Sequence, residues 1–109
     1  NSKKQSFLQI RQGFEWMKFN VPPGSSVTGS GIEPYAIYYS QLKTVTLEST
    51  FNQSLIEEAD YIVLHSFTPQ EPYLINYVQN NSDKWKLEKA FFFDENNQQP
   101  AFLIYKKIN

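Results

Sequence analysis

The segment Asn20-Val-Pro-Pro-Gly-Ser-Ser-Val-Thr-Gly-Ser30 constrains this chain most, because it turns an amphipathic helix sharply into a short strand. Ahead of it, Phe7, Ile10, Phe14, Met17 and Val21 recur at helical spacing, so residues 5–19 form a helix with one apolar stripe. Pro22 disfavours helical geometry at Val21, and Gly24 permits the reversal that feeds a strand over residues 26–30. The helix-then-strand order returns before Ala59-Asp-Tyr-Ile-Val-Leu64. Each apolar helix stripe needs a sheet face to cover it, so the repeat predicts an α/β layer fold.

The other elements follow from local chemistry. Glu33-Pro-Tyr-Ala-Ile-Tyr-Tyr39 places proline where a helix begins, followed by aromatics spaced to pack on a sheet. Val45 and Leu47 alternate with polar neighbours over residues 44–48, the pattern of a strand near a sheet edge. Asn52 is placed to cap a helix from Gln53 to Ala59, and Tyr61-Ile-Val-Leu-His65 is apolar on both alternations, as a central strand buried on two faces requires. Pro72 opens a helix through Asn80 with Tyr73, Leu74, Tyr77 and Val78 turned inward. Residues 85–93 and 101–107 read as strands joined by a polar hairpin loop over residues 94–100. The expected architecture is α/β, a three-layer sandwich with a five-stranded mixed sheet of order 2-1-3-5-4. Crossover connections make the first four strands parallel, and the hairpin makes the last antiparallel. The expected core includes Phe14, Met17, Val27, Ile62, Leu64, Leu87 and Ile104.

At 109 residues the chain fits a single domain spanning 1–109, and 40% hydrophobic content supplies a core without staples. Ten basic against eleven acidic residues leave a net charge of -1, which gives no field to draw phosphate backbones, so no nucleic-acid partner is expected. The absence of cysteine removes disulfides and thiolate metal sites. No run of about 18 apolar residues is present, and Asn1-Ser-Lys-Lys-Gln leads into no apolar signal region. The polar start without methionine suggests a piece excised from a longer protein, and a cleaved tag would look the same.

Gly24-Ser-Ser-Val-Thr-Gly29 has the glycine spacing of a phosphate loop, but Ser30-Gly31 stands where Lys and Ser/Thr belong, and the strand lies inside the segment. It reads as a turn. Gly29, Ser30 and Gly31 nevertheless fall at the carboxyl end of one strand, and His65 and Ser66 at the end of the central strand, where open α/β sheets bind ligands. These five are the candidate ligand-binding residues, facing a neutral sugar or the polar head of an acceptor. Without Lys or Arg, the set does not suit a tightly held phosphate. His65 has Ser66, Thr68 and Glu71 nearby in sequence but no spaced nucleophile and carboxylate, so no catalytic residue, metal ligand or cofactor is assigned. Glu57, Glu58 and Asp60 read as a solvated helix end, and most of Trp16, Tyr35, Tyr38, Tyr39, Tyr73 and Tyr77 as core rather than a sugar-stacking platform. Asn52-Gln-Ser54 and Asn80-Asn-Ser82 match glycosylation triplets, which an Asn-rich chain carries by chance.

Phe14-Glu-Trp-Met-Lys-Phe-Asn-Val-Pro-Pro-Gly24, the Tyr-rich stretch Tyr35–Tyr39, Glu58-Ala-Asp-Tyr-Ile-Val-Leu64 and the closing Phe102-Leu-Ile-Tyr-Lys106 follow in an order that spans nearly the whole chain. That order resembles the soluble C-terminal domain of polytopic membrane glycosyltransferases related to protein mannosyltransferases and aminoarabinose transferases. The resemblance implies an extracytoplasmic domain of an integral membrane protein whose sugar donor is a polyprenyl phosphate. It also implies that the catalytic carboxylates lie in an early loop between membrane helices, outside this chain. The expected partners are then the membrane-embedded remainder of the same chain and a saccharide or acceptor. The competing expectations are a free-standing α/β ligand-binding module and a small enzyme using the strand ends near Ser30 and His65.

Overall fold

A computed structural model describes residues 2–67, 69–94, 96 and 98–108, with side chains from residue 8 onward. Thr68 and the side chain of Phe7 lie outside the described residues. The elements run α1 (Ser2–Asn20), β1 (Ser26–Thr28), α2 (Glu33–Tyr35, continuing as a π-helical turn Ala36–Ser40), β2 (Lys43–Val45), α3 (Gln53–Ile56), β3 (Tyr61–His65), α4 (Pro72–Asn80), β4 (Trp85–Phe92) and β5 (Pro100–Lys107). The five strands form one sheet of order β2-β1-β3-β5-β4. β1 pairs parallel with β2 and β3, while β5 runs antiparallel to both β3 and β4. The expected order and the single antiparallel strand are therefore observed.

Alternation along β3 and β5 divides the core in two. Tyr61 and Val63 on β3, with Phe102 and Ile104 on β5, join Ile10, Phe14 and Met17 of α1 and Ala36 of α2 in one buried cluster. Ile62 joins Ile56 of α3, Leu74 and Val78 of α4 and Trp85 of β4 in the other, with Leu64 and Tyr105 packed against it. A strand apolar on both alternations has to be covered twice, which is why helices lie on both faces. Gly13 lets α1 lie close on the sheet, since an added Cβ there would stand 2.3 Å from the Phe102 ring. Phe14 meets that same ring edge-on at 5.1 Å.

Local chemistry sets the ends of the elements. The Asn52 side chain caps α3 by accepting the Leu55 N–H at 3.2 Å. The end of α2 widens because the Gln41 N–H reaches back five residues to the Ala36 carbonyl at 3.0 Å, and Gln41 itself takes a left-handed φ of 61°. β1 ends at Thr28, two residues earlier than expected, since the chain turns at Ser30 and Gly31, and Gly31 has φ +63°.

Other expectations are corrected as well: β2 spans Lys43–Val45 rather than residues 44–48, and α3 stops at Ile56 rather than Ala59. Leu87 is 47% exposed rather than in the core. It sits on the edge strand β4, paired in step with Trp85, and Trp85 takes the buried place against α4. Tyr38 is 77% exposed, because the π-helical turn carries it away from the sheet.

Candidate functional site

Because β1 and β3 are parallel neighbours, their carboxyl ends lie at the same edge of the sheet. The chain leaves β1 through α2 on one face and reaches β3 through α3 on the other. This is the strand-order reversal at which open α/β sheets form a crevice. Ser30 and His65 meet there, both buried, with His65 Nε2 2.6 Å from the Ser30 carbonyl oxygen.

The hydrogen bonds around the imidazole assign its tautomer. The Phe67 backbone N–H donates to Nδ1 at 3.2 Å, so Nδ1 carries no proton. The Ser30 carbonyl only accepts, so Nε2 carries the proton and donates it. The neutral ring satisfies both partners, whereas a second proton would set Nδ1–H against the Phe67 N–H. Burial pushes the His65 pKa below its ordinary value, partly offset by the bond to Ser30. Both the lone pair and the proton of the imidazole are thus engaged within the protein, and His65 is not free to act as a general base.

The β3–α4 connection seals this edge. Its Glu71 N–H donates to Ser30 Oγ at 3.0 Å, and the Gln70 side-chain carbonyl accepts the His65 N–H at 3.3 Å. Phe67 packs edge-on against Tyr35 at 5.6 Å. Of the other candidates, Gly29 lies under the β3 backbone, where an added Cβ would stand 2.7 Å from the Val63 carbonyl oxygen. Ser66 turns to β5, its N–H donating to the Ala101 carbonyl at 3.2 Å. The structure therefore unites Ser30 with His65 and places Gly29 against the neighbouring strand. Gly31 and Ser66 are exposed. His65 and Ser66 also touch an apolar groove of about 280 Å³ between α4 and β5, which none of Gly29, Ser30 or Gly31 lines.

The acidic group is more than a solvated helix end. Asp60 Oδ2 accepts the Ser26 N–H at 3.0 Å and so ties the start of β1 to the start of β3. Glu57 accepts from Tyr77 Oη at 2.9 Å, from Gln53 at 3.0 Å and from Lys84 at 3.3 Å. The Gln53 and Tyr77 hydrogen bonds, with Lys84, hold its pKa below the usual carboxylate value. Among the described residues no group of three or more His, Cys, Asp and Glu side chains is placed to hold a metal ion.

A second concavity was not anticipated from the sequence. Between α4 and the segment entering α3, a cleft of about 330 Å³ is lined by Phe51, Gln53, Tyr73, Asn76, Tyr77 and Asn80, with Asn81 at its end. Its signal in the sequence is the spacing of Tyr73, Asn76, Tyr77 and Asn80, which is one helical stripe alternating aromatic ring and carboxamide. Compared with models of protein families, with curated proteins and with solved structures, the chain matches none.

Proposed function

We propose that the chain is an accessory, non-catalytic domain of a membrane glycosyltransferase that transfers sugar from a polyprenyl-phosphate donor. On this reading it stands on the extracytoplasmic face and packs against the membrane-embedded remainder of the same chain. The observation that carries the non-catalytic part is the doubly engaged His65. The only histidine in the chain is spent on Phe67 and Ser30, so its imidazole is not free for proton transfer at the strand ends. The resemblance in residue order supports the parent enzyme, and among the described residues no helix is long and apolar enough to cross a membrane. Any membrane anchoring then falls to segments outside these helices.

The alternative is a free-standing α/β ligand-binding module, which the aromatic and carboxamide cleft favours. Reading the gene upstream of the Asn1 codon separates the two. A series of membrane-spanning segments, each about 20 apolar residues long, is the expected result. A reading frame without such segments on either side overturns the membrane-enzyme reading.

A further inference from the structure

We propose that the cleft between α4 and the Phe51–Gln53 segment is a binding site for a neutral saccharide. The site exists because α3 is only four residues long and leaves the outer stripe of α4 uncovered. Phe51 stands beside that stripe, 49% exposed, with its ring centroid 5.8 Å from Tyr73 and 5.9 Å from Tyr77. Phe51 and the half-buried Tyr73 open to solvent, and Tyr77, only 5% exposed, backs them.

The polar ends of those rings are committed elsewhere. Tyr73 Oη donates to the Glu48 carbonyl, and Tyr77 Oη donates to Glu57 while accepting Trp85 Nε1–H at 3.0 Å. The phenols are therefore held in place. Such preorganised rings stack on the C–H face of a sugar at little entropic cost. Above them, the Asn76 and Asn80 side chains are exposed and make no hydrogen bond among the described residues. A carboxamide offers two donors and an acceptor, which matches a pair of neighbouring hydroxyls.

Charge and size narrow the ligand class. No Lys or Arg lines the cleft to hold an anion, and no Asp or Glu lines it to form an ion pair with a cation. A purely apolar ligand would strip water from the carboxamides without replacing its hydrogen bonds. A volume of about 330 Å³ lies at the small end of ligand sites. The class that satisfies both walls is uncharged, hydroxyl-rich on its edges and apolar on one face. The cleft binds sugar whether the chain belongs to a membrane enzyme or stands alone, so failure here leaves the reading of the parent protein intact.

The test is an amide NMR titration of the labelled chain with methyl β-glucopyranoside, methyl α-mannopyranoside and N-acetylglucosamine, each to about 50 mM. Adenosine and glucose 6-phosphate serve as the competing ligand classes. The expected result is saturable shifts at Phe51, Gln53, Tyr73, Asn76 and Asn80 with at least one neutral sugar, at millimolar Kd. Asn76→Ala, which improves helix propensity and keeps the fold, weakens that binding roughly fivefold, and Phe51→Ala weakens it further. Absence of shifts with all three sugars overturns the proposal. So do shifts confined to another surface, a tighter response to adenosine or to the phosphate ester, or unchanged affinity in Asn76→Ala.

Discussion

His65 Nε2 lies 2.6 Å from the carbonyl oxygen of Ser30, so the last residue of β3 fastens the loop that leaves β1. The same ring accepts the Phe67 N–H, and the imidazole becomes a brace between the two strand ends and the β3–α4 connection. A residue type associated with proton transfer is here part of the scaffold.

Replacing His65 by Ala leaves a buried carbonyl and the Phe67 N–H without their partner, and destabilises the domain by about 2–4 kcal/mol. The wild-type protein carries a pH signature that the variant lacks. Because the folded-state pKa of His65 lies below its unfolded value, the unfolded chain binds the extra proton first on acidification. The stability from the neutral ring is complete above the unfolded pKa of about 6.5 and declines below it, by at most about 1.4 kcal/mol per pH unit. Urea denaturation midpoints between about pH 7 and pH 5 measure this. An equal decline in His65→Ala would assign it to other groups.

Gly13→Ala sets two effects against each other. Alanine raises helix propensity by about 1 kcal/mol, but its Cβ would stand 2.3 Å from the Phe102 ring, packed between α1 and β5. Overpacking outweighs propensity, and a net loss of about 1–3 kcal/mol is expected by thermal or chemical denaturation.

Ile62→Ala empties a fully buried position on β3 and costs about 2–5 kcal/mol, whereas Leu87→Thr stays within about 0.5 kcal/mol of wild type. The contrast checks the register of β4. A comparable loss in Leu87→Thr would mean that Leu87 packs inward.

Much of this architecture was legible in the residues. The run at Tyr61–His65 demanded cover on two faces, and that requirement, with the hairpin of β4 and β5, led to the observed strand order. Leu87 was not legible, since it alternates in step with the buried Trp85 and only its place on an edge strand leaves it open. The meeting of Ser30 and His65 follows from strand order, but the engagement of both ring nitrogens depends on how the chain bends after Ser66. The cleft escaped notice because Phe51 lies in irregular chain ahead of a cap, and Asn76 and Asn80 look like ordinary solvated helix positions. Only the shortness of α3 turns them into a site.

Tyr77→Phe removes the hydroxyl that links Trp85 Nε1 to Glu57. The indole N–H then stays buried without a partner, at a cost of about 1–3 kcal/mol, and Trp85 fluorescence reports the altered surroundings. Unchanged stability would show that water or another group replaces the hydroxyl.

The most direct measurement is sugar transfer from a polyprenyl-phosphate donor, followed for the isolated chain, for the parent enzyme and for the parent with this domain deleted. On the proposed reading, the isolated chain gives no turnover, the parent transfers fully, and a deletion variant that still reaches the membrane is impaired. Turnover by the isolated chain, or undiminished transfer by a stably expressed deletion, would contradict it.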